Sequence, residues 1–172
     1  MSNKLALVIG GAASGKSAFA ENIVINTGKT RIYLATARVL DGEMEQKVTR
    51  HKNMRGAGWA TFETPLAPED VLRERTASET ILLDCATMWL MNHLMDETDL
   101  ESAETALMNG LKGSKADCVI VTNELGLGIV PADALSRRFR QKQGELNQRL
   151  AAQANTVVHV VAGLPNILKG TL

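Results

Sequence analysis

Residues 5–17, LALVIGGAASGKS, carry an apolar run into a glycine-rich turn that closes on Gly15, Lys16 and Ser17. The turn fits the phosphate-binding pattern G-x-x-x-x-G-K-S/T, with Gly10, Gly15, Lys16 and Ser17 in the required places. No other feature restricts the fold as much, because the pattern works only between a strand and a helix. The apolar run supplies the strand, and residues 18–26 read as the helix. Gly10, Gly11, Ala12, Ala13, Ser14 and Gly15 then form a cradle of backbone N–H groups at a helix N-terminus, where the helix dipole favours an anion. Lys16 is placed to reach β- and γ-phosphates, and Ser17 to ligate Mg²⁺. The pattern predicts nucleoside-triphosphate binding; an ordinary strand-to-helix turn is the alternative.

Four further apolar runs resemble the first: 31–35 (RIYLA), 80–84 (TILLD), 118–122 (CVIVT) and 157–161 (VVHVV). They are continuous rather than alternating, as in strands covered on both faces. Between them lie helix-period stretches. Leu100, Ala103, Leu107 and Leu111 share one face, as do Phe139, Leu146 and Leu150. Alternating strands and helices predict an α/β fold, a mainly parallel sheet with helices on both faces. The 172 residues suit a single domain over 1–172. Nineteen basic residues balance nineteen acidic ones, which argues against nucleic-acid or membrane partners. Aromatics at 3% argue against a base-stacking platform. Cys85 and Cys118 read as small buried hydrophobes, and the absence of a signal segment points to the cytoplasm. The stretch 53–70 is the least regular, an excursion from the sheet with room for a short strand at 59–63.

A phosphate-loop protein needs an acid near the metal, and Asp84, at the end of ILLD, stands where a buried strand reaches the binding edge. A helix N-cap is its other reading. Residues 41–53 read as a helix on which Met44, Val48 and His51 share a face, with Lys47, Arg50, Lys52 and Arg55 around the histidine. Such a cluster would keep the imidazole neutral and nucleophilic and would hold phosphate oxygens. A half-buried histidine on a solvated basic helix is equally compatible, and the residues alone favour it. His93 and His159 read as structural. The segment 123–131, NELGLGIVP, follows the 118–122 strand, and its glycines mark backbone that turns tightly or approaches a ligand. Glu124 stands where the lysine of an N-K-x-D guanine signature would be, so a regulatory GTPase is disfavoured.

Taken together these segments resemble the bifunctional adenosylcobinamide kinase/adenosylcobinamide-phosphate guanylyltransferase family of cobalamin biosynthesis. The similarity runs from GGAASGKS through YLAT (33–36), LDGEM (40–44) and RHKNMRGAGWATFETP (50–65), then LLDCATMWLMN (82–92), TNELGLGIVP (122–131) and FRQKQGELNQRLA (139–151). The histidine segment and the N-E-x-G-x-G-I-V-P segment are the most particular. The resemblance implies a RecA-like P-loop fold, a homotrimer, and two reactions. A nucleoside triphosphate, ATP or GTP, phosphorylates adenosylcobinamide. GTP then guanylylates a histidine, and the GMP passes to the new phosphate. The carrier position corresponds to His51, which reverses the preference stated above for that residue. Family nucleotide contacts carry over to Leu34, Ala35 and Thr36, to His51, Lys52, Asn53 and Met54, and to Glu63 and Asp84. The chain departs from many relatives at Ala13 and at Met54-Arg55-Gly56, where they carry arginine and Arg-Arg-Pro. A small-molecule P-loop kinase without guanylyl transfer, and a nucleotide-binding module without catalysis, are the rival readings.

Overall fold

The computed structural model describes residues 4–38, 42, 49 and 55–172. Along the chain run β1 (Leu5–Gly10), α1 (Lys16–Asn26), β2 (Thr30–Ala35), β3 (Trp59–Glu63), α2 (Pro68–Arg73) and β4 (Glu79–Asp84). They are followed by α3 (Ala86–Met95), α4 (Leu100–Gly113), β5 (Asp117–Asn123), α5 (Ala134–Gln153), β6 (Thr156–Val161) and β7 (Leu164–Lys169). The seven strands form one sheet in the order β3-β2-β4-β5-β1-β6-β7. Every pairing is parallel except that of β7 with β6.

Successive residues of each central strand point to opposite faces, and two apolar layers result. Leu7, Ile32, Leu34, Ile81, Leu83 and Ile120 pack on one face with Trp89, Leu107, Leu111, Leu146 and Leu150 from α3, α4 and α5. Val8, Tyr33, Leu82, Val119, Val121, Val158 and Val160 pack on the other with Ala20 and Val24 of α1. The expected mainly parallel sheet with helices on both faces is therefore present, and the continuous apolar runs are explained by burial on both sides.

The short strand expected at 59–63 is present with those bounds, but it does not leave the sheet: it forms the edge strand, paired with β2 from Arg31↔Trp59 to Ala35↔Glu63. Two further elements were not expected. A short helix, α2, opens on Pro68, whose fixed φ suits a first turn, with Glu69 and Asp70 beside it. The last strand, β7, was not anticipated because all six of its residues are exposed, leaving no apolar pattern to read. Its partner strand turns into it through Ala162 and Gly163, at φ 51° and 77°, the paired positive values of a tight hairpin.

Candidate functional site

The phosphate loop is built as its sequence requires. A Cβ on Gly10 would lie 2.8 Å from the Val160 carbonyl, so only glycine fits between β1 and β6 at that point. Gly15 has φ 88°, and a Cβ there would meet Gly163 Cα at 3.0 Å. The β6–β7 turn presses on the loop because Gly163 N–H donates to the Ser14 carbonyl at 2.8 Å. Helix α1 starts at Lys16 with no side-chain cap, which leaves its first-turn N–H groups for an anion. The Lys16 ammonium lies over the loop, 3.0 Å from the Gly11 carbonyl oxygen. Ala12 and Ala13 are exposed, Ser14 is buried, and Ser17 is half-buried one residue into the helix.

Asp84 stands at the C-terminal edge of β4. Its carboxylate is not a helix cap: Cys85 occupies the N-cap of α3 and makes no side-chain capping bond. Asp84 Oδ2 instead accepts a hydrogen bond from the Tyr33 hydroxyl at 2.8 Å. The strand end is held from β2 as well. Thr36 Oγ1 donates to the Cys85 carbonyl and accepts from Cys85 N–H, both at 2.8 Å, and Thr36 N–H donates to the Asp84 carbonyl at 3.2 Å. Asn92 of α3 donates to the Thr36 carbonyl at 2.8 Å. Burial and then the Asp84 charge push the Cys85 thiol up to about 11, with Lys16 acting in the opposite sense, so the P-loop ammonium is felt at the acid's neighbour.

Around Asp84 the structure gathers Glu21, Tyr33 and Trp59, which sequence reading did not place in the site, together with Arg55, which it did. Glu21, four residues beyond Ser17 and therefore on the same face of α1, has its carboxyl raised by burial and then by the Asp84 charge, with Arg55 pulling the other way. The Arg55 guanidinium lies 3.4 Å from the Tyr33 ring centroid and 5.7 Å from that of Trp59. Trp59 meets Tyr33 edge-on at 6.1 Å. Arg55, expected beside the phosphates, is thus committed to an aromatic face. A polar residue inside the apolar run RIYLA, and an acid one turn after Ser17, were the signals available in the sequence.

The other expected nucleotide contacts are distributed unevenly. Leu34 is wholly buried in the core and Thr36 is engaged with Cys85, so these two offer main chain more than side chain. Ala35 pairs with both Asp84 and Glu63, which brings these residues to adjacent strand ends. His51, Lys52, Asn53 and Met54 lie outside the described residues, as do Lys47, Arg50 and most of the helix expected over 41–53. His93 is structural, as expected: it is buried, with its ring nitrogens 2.7 Å from Thr98 Oγ1 and 3.0 Å from the Leu66 carbonyl oxygen.

Beyond β5, a buried polar network fixes the start of the 123–131 loop. Asn123 N–H donates to Thr87 Oγ1 at 2.8 Å, and Asn147 Nδ2 donates to the Asn123 carbonyl at 3.0 Å. Thr122 and Gln143 complete the network through Asn147 Oδ1. Glu124 N–H donates to the Gly10 carbonyl at 3.1 Å, tying this loop to the phosphate loop. The chain turns at Gly126 and Leu127 and bends at Gly128, as expected, though neither glycine takes a positive φ. The loop exposes Leu127, Ile129 and Val130.

Among the described residues no three His, Cys, Asp or Glu side chains converge to hold a metal by themselves. The oxygen donors of Ser17 and Asp84, with Glu21 nearby, suit a hard cation held largely by phosphate oxygens. The mutual repulsion of Glu21 and Asp84 is what such a cation would relieve.

Comparison with known proteins is consistent across sequence and fold. The family model for "Cobinamide kinase / cobinamide phosphate guanyltransferase" matches residues 6–168. The bifunctional adenosylcobalamin biosynthesis protein CobP of Pseudomonas aeruginosa is 42% identical over 167 residues, covering 95% of this chain and 96% of that protein. The CobU protein of Escherichia coli, described in the same words, is 36% identical over 174 residues, covering 92% and 96%. Among solved structures, flagellar accessory protein FlaH from Methanocaldococcus jannaschii aligns with a TM-score of 0.54 at 12% identity, over 99% of this chain and 80% of that one. The RadB recombinase aligns with a TM-score of 0.51 at 16% identity, over 92% and 74%. At such identities the likeness concerns the fold, which is RecA-like.

Proposed function

The chain belongs to the cobinamide kinase / cobinamide phosphate guanyltransferase family, and from that premise we propose how its residues carry out two successive reactions. A nucleoside triphosphate phosphorylates the hydroxyl of the aminopropanol arm of adenosylcobinamide. GMP is then transferred from GTP to adenosylcobinamide phosphate, giving adenosyl-GDP-cobinamide and pyrophosphate. The match over residues 6–168, with an intact phosphate loop inside it, carries this reading.

In the first reaction the loop N–H groups and Lys16 hold the triphosphate while the acceptor oxygen bonds to the γ-phosphorus and the bond to the β-phosphate oxygen breaks. In the second, a ring nitrogen of His51 attacks the α-phosphorus of GTP and pyrophosphate leaves. The acceptor phosphate then displaces His51 from the same phosphorus, so one difficult displacement becomes two easier ones. Lys16 faces charge that grows on the leaving phosphates in either step. Ser17 and Asp84 would hold Mg²⁺, which when bound would offset that charge. Main chain at Leu34, Ala35 and Thr36, with Lys52, Asn53, Met54 and Glu63, completes the nucleotide contacts in this reading. The exposed Leu127, Ile129 and Val130, and Leu164, Ile167 and Leu168 of β7, are apolar surface of the kind an assembly covers. They support a homotrimer whose subunit boundary offers room for the corrinoid. No helix among the described residues is long and apolar enough to cross a membrane; a cytoplasmic enzyme without membrane or nucleic-acid partners is part of the same proposal.

The test is incubation with α-³²P-GTP and Mg²⁺ followed by denaturing electrophoresis. Acid-labile, alkali-stable label is expected on the wild type and none on His51→Ala. An unlabelled wild type that still transfers the γ-phosphate would identify a kinase without guanylyl transfer. Nucleotide binding with no turnover on added adenosylcobinamide would identify a binding module.

A further inference from the structure

Tyr33 lies in the middle of β2 and is only 7% exposed. Its ring belongs to the core layer under α1, a role phenylalanine would fill equally well. What tyrosine adds is one oxygen, and that oxygen donates to Asp84 Oδ2 at 2.8 Å. The ring itself is gripped on two sides, by the Arg55 guanidinium 3.4 Å from its centroid and by the edge of Trp59 at 6.1 Å. A hydroxyl on so fixed a ring has little freedom to follow a moving carboxylate; the carboxylate must conform to it. A carboxylate has two oxygens, and committing Oδ2 leaves Oδ1 as the second acceptor in a set direction.

We propose that Tyr33 is a positioning residue for both transfer reactions: its hydroxyl sets the orientation in which the Asp84 carboxylate meets the metal–nucleotide complex. This rests on the reading of Asp84 as the acid of the nucleotide site. The alternative is a hydrogen bond that merely satisfies two half-buried polar groups. Outer partners that orient a ligating carboxylate govern metal affinity as well as rate, and the two ideas therefore differ in what they predict for metal binding.

Tyr33→Phe keeps the ring, the Arg55 stack and the Trp59 contact and deletes only the oxygen. The probe is Mn²⁺, its binding followed by electron paramagnetic resonance in the presence of a non-hydrolysable GTP analogue. Tyr33→Phe is expected to weaken Mn²⁺ binding about 10-fold or more and to lower kcat of both transfers comparably, with KM for GTP little changed. Asp84→Asn is expected to weaken Mn²⁺ binding on its own, and Tyr33→Phe added to it is expected to cost nothing further, because the hydroxyl acts through that carboxylate. If Asp84→Asn weakens Mn²⁺ binding and Tyr33→Phe does not, the proposal for Tyr33 is overturned and the reading of Asp84 stands. Additive effects in the double variant would overturn it too, since the tyrosine would then act independently. An Asp84→Asn protein that binds Mn²⁺ and turns over like the wild type would remove the reading of Asp84 itself.

Discussion

Gly15→Ala tests whether the phosphate loop is held in shape from outside as well as by its own turn. Gly15 sits at φ 88° and ψ 2°, where an L side chain costs about 1–2 kcal/mol. The added methyl would also stand 3.0 Å from Gly163 Cα and 3.4 Å from Gly163 N. Both atoms are backbone, and Gly163 N–H is anchored to the Ser14 carbonyl, so the turn cannot yield without releasing that bond. Overpacking of this kind adds about 1–3 kcal/mol. The sum, about 2–5 kcal/mol, corresponds to a melting temperature lowered by roughly 5–20 °C for a chain of this size. Gly28→Ala is the internal control: its φ is 69° but a Cβ there meets nothing within 4 Å, so only the backbone term applies, roughly 2–8 °C. Thermal denaturation by circular dichroism, with and without GTP, gives both quantities. The wild type should gain about 2.7 kcal/mol at a GTP concentration 100 times its Kd, and Gly15→Ala should lose most of that gain while Gly28→Ala keeps it. A Gly15→Ala protein no less stable than Gly28→Ala, or one with the full GTP shift, would refute the idea that the β6–β7 turn braces the loop.

Asp117 accepts from Lys4 N–H at 2.8 Å and from the Lys29 ammonium at 2.7 Å, and although burial pushes its carboxyl up, these partners bring it below the ordinary aspartate value. The stability it contributes is therefore present above about pH 3.8 and lost as pH falls through the lower folded value; Asp117→Asn should cost about 1 kcal/mol at pH 7 and nothing once the wild-type carboxyl is protonated, as read by urea denaturation at both pH values. Asp99 caps α4, accepting from Ser102 N–H at 3.2 Å and Ser102 Oγ at 2.7 Å; Asp99→Ala should lower Tm by roughly 2–4 °C, whereas Asp99→Asn should recover most of it.

What could be read in the sequence was whatever is settled locally. The phosphate loop is legible because its chemistry is confined to eight consecutive residues, from Gly10 to Ser17. The central strands are legible because burial on both faces leaves continuous apolar runs, and helix α4 because Leu107 and Leu111 recur at helical spacing. The clamp on Asp84 was not legible: Tyr33 and Thr36 lie 51 and 49 residues from their partners Asp84 and Cys85, and only the β2–β4 register brings them together. Strand β7 was invisible for the opposite reason, since its exposed residues carry no pattern while its pairing is made by backbone. Asp84 was picked out from the sequence as the acid of interest, yet its partner could not be named until the sheet order was known.

That order also explains why an acid so placed needs a positioning partner. Strand β5 lies between β1 and β4, so Asp84 is two strand spacings, about 10 Å, to the side of the loop strand. Its register partner on β5 is Val121, whereas that of Gly10 is Asn123, which sets Asp84 back by a further two residues, about 7 Å along the strands. Helix α1 crosses this gap, packing on β1, β5 and β4, and Ser17 with Glu21 on one of its faces approaches the acid from the loop side. In the proposed site Ser17 and Asp84 would approach the metal from different elements, and phosphate oxygens would complete the donor set between them. A donor in such a split site contributes only if its direction is fixed before the substrate arrives. The residues just before Asp84 in its own strand, Ile81, Leu82 and Leu83, are apolar and cannot fix it. The constraint has to come from the neighbouring strand, and β2 supplies it through the Tyr33 hydroxyl on the side chain and Thr36 on the backbone that follows.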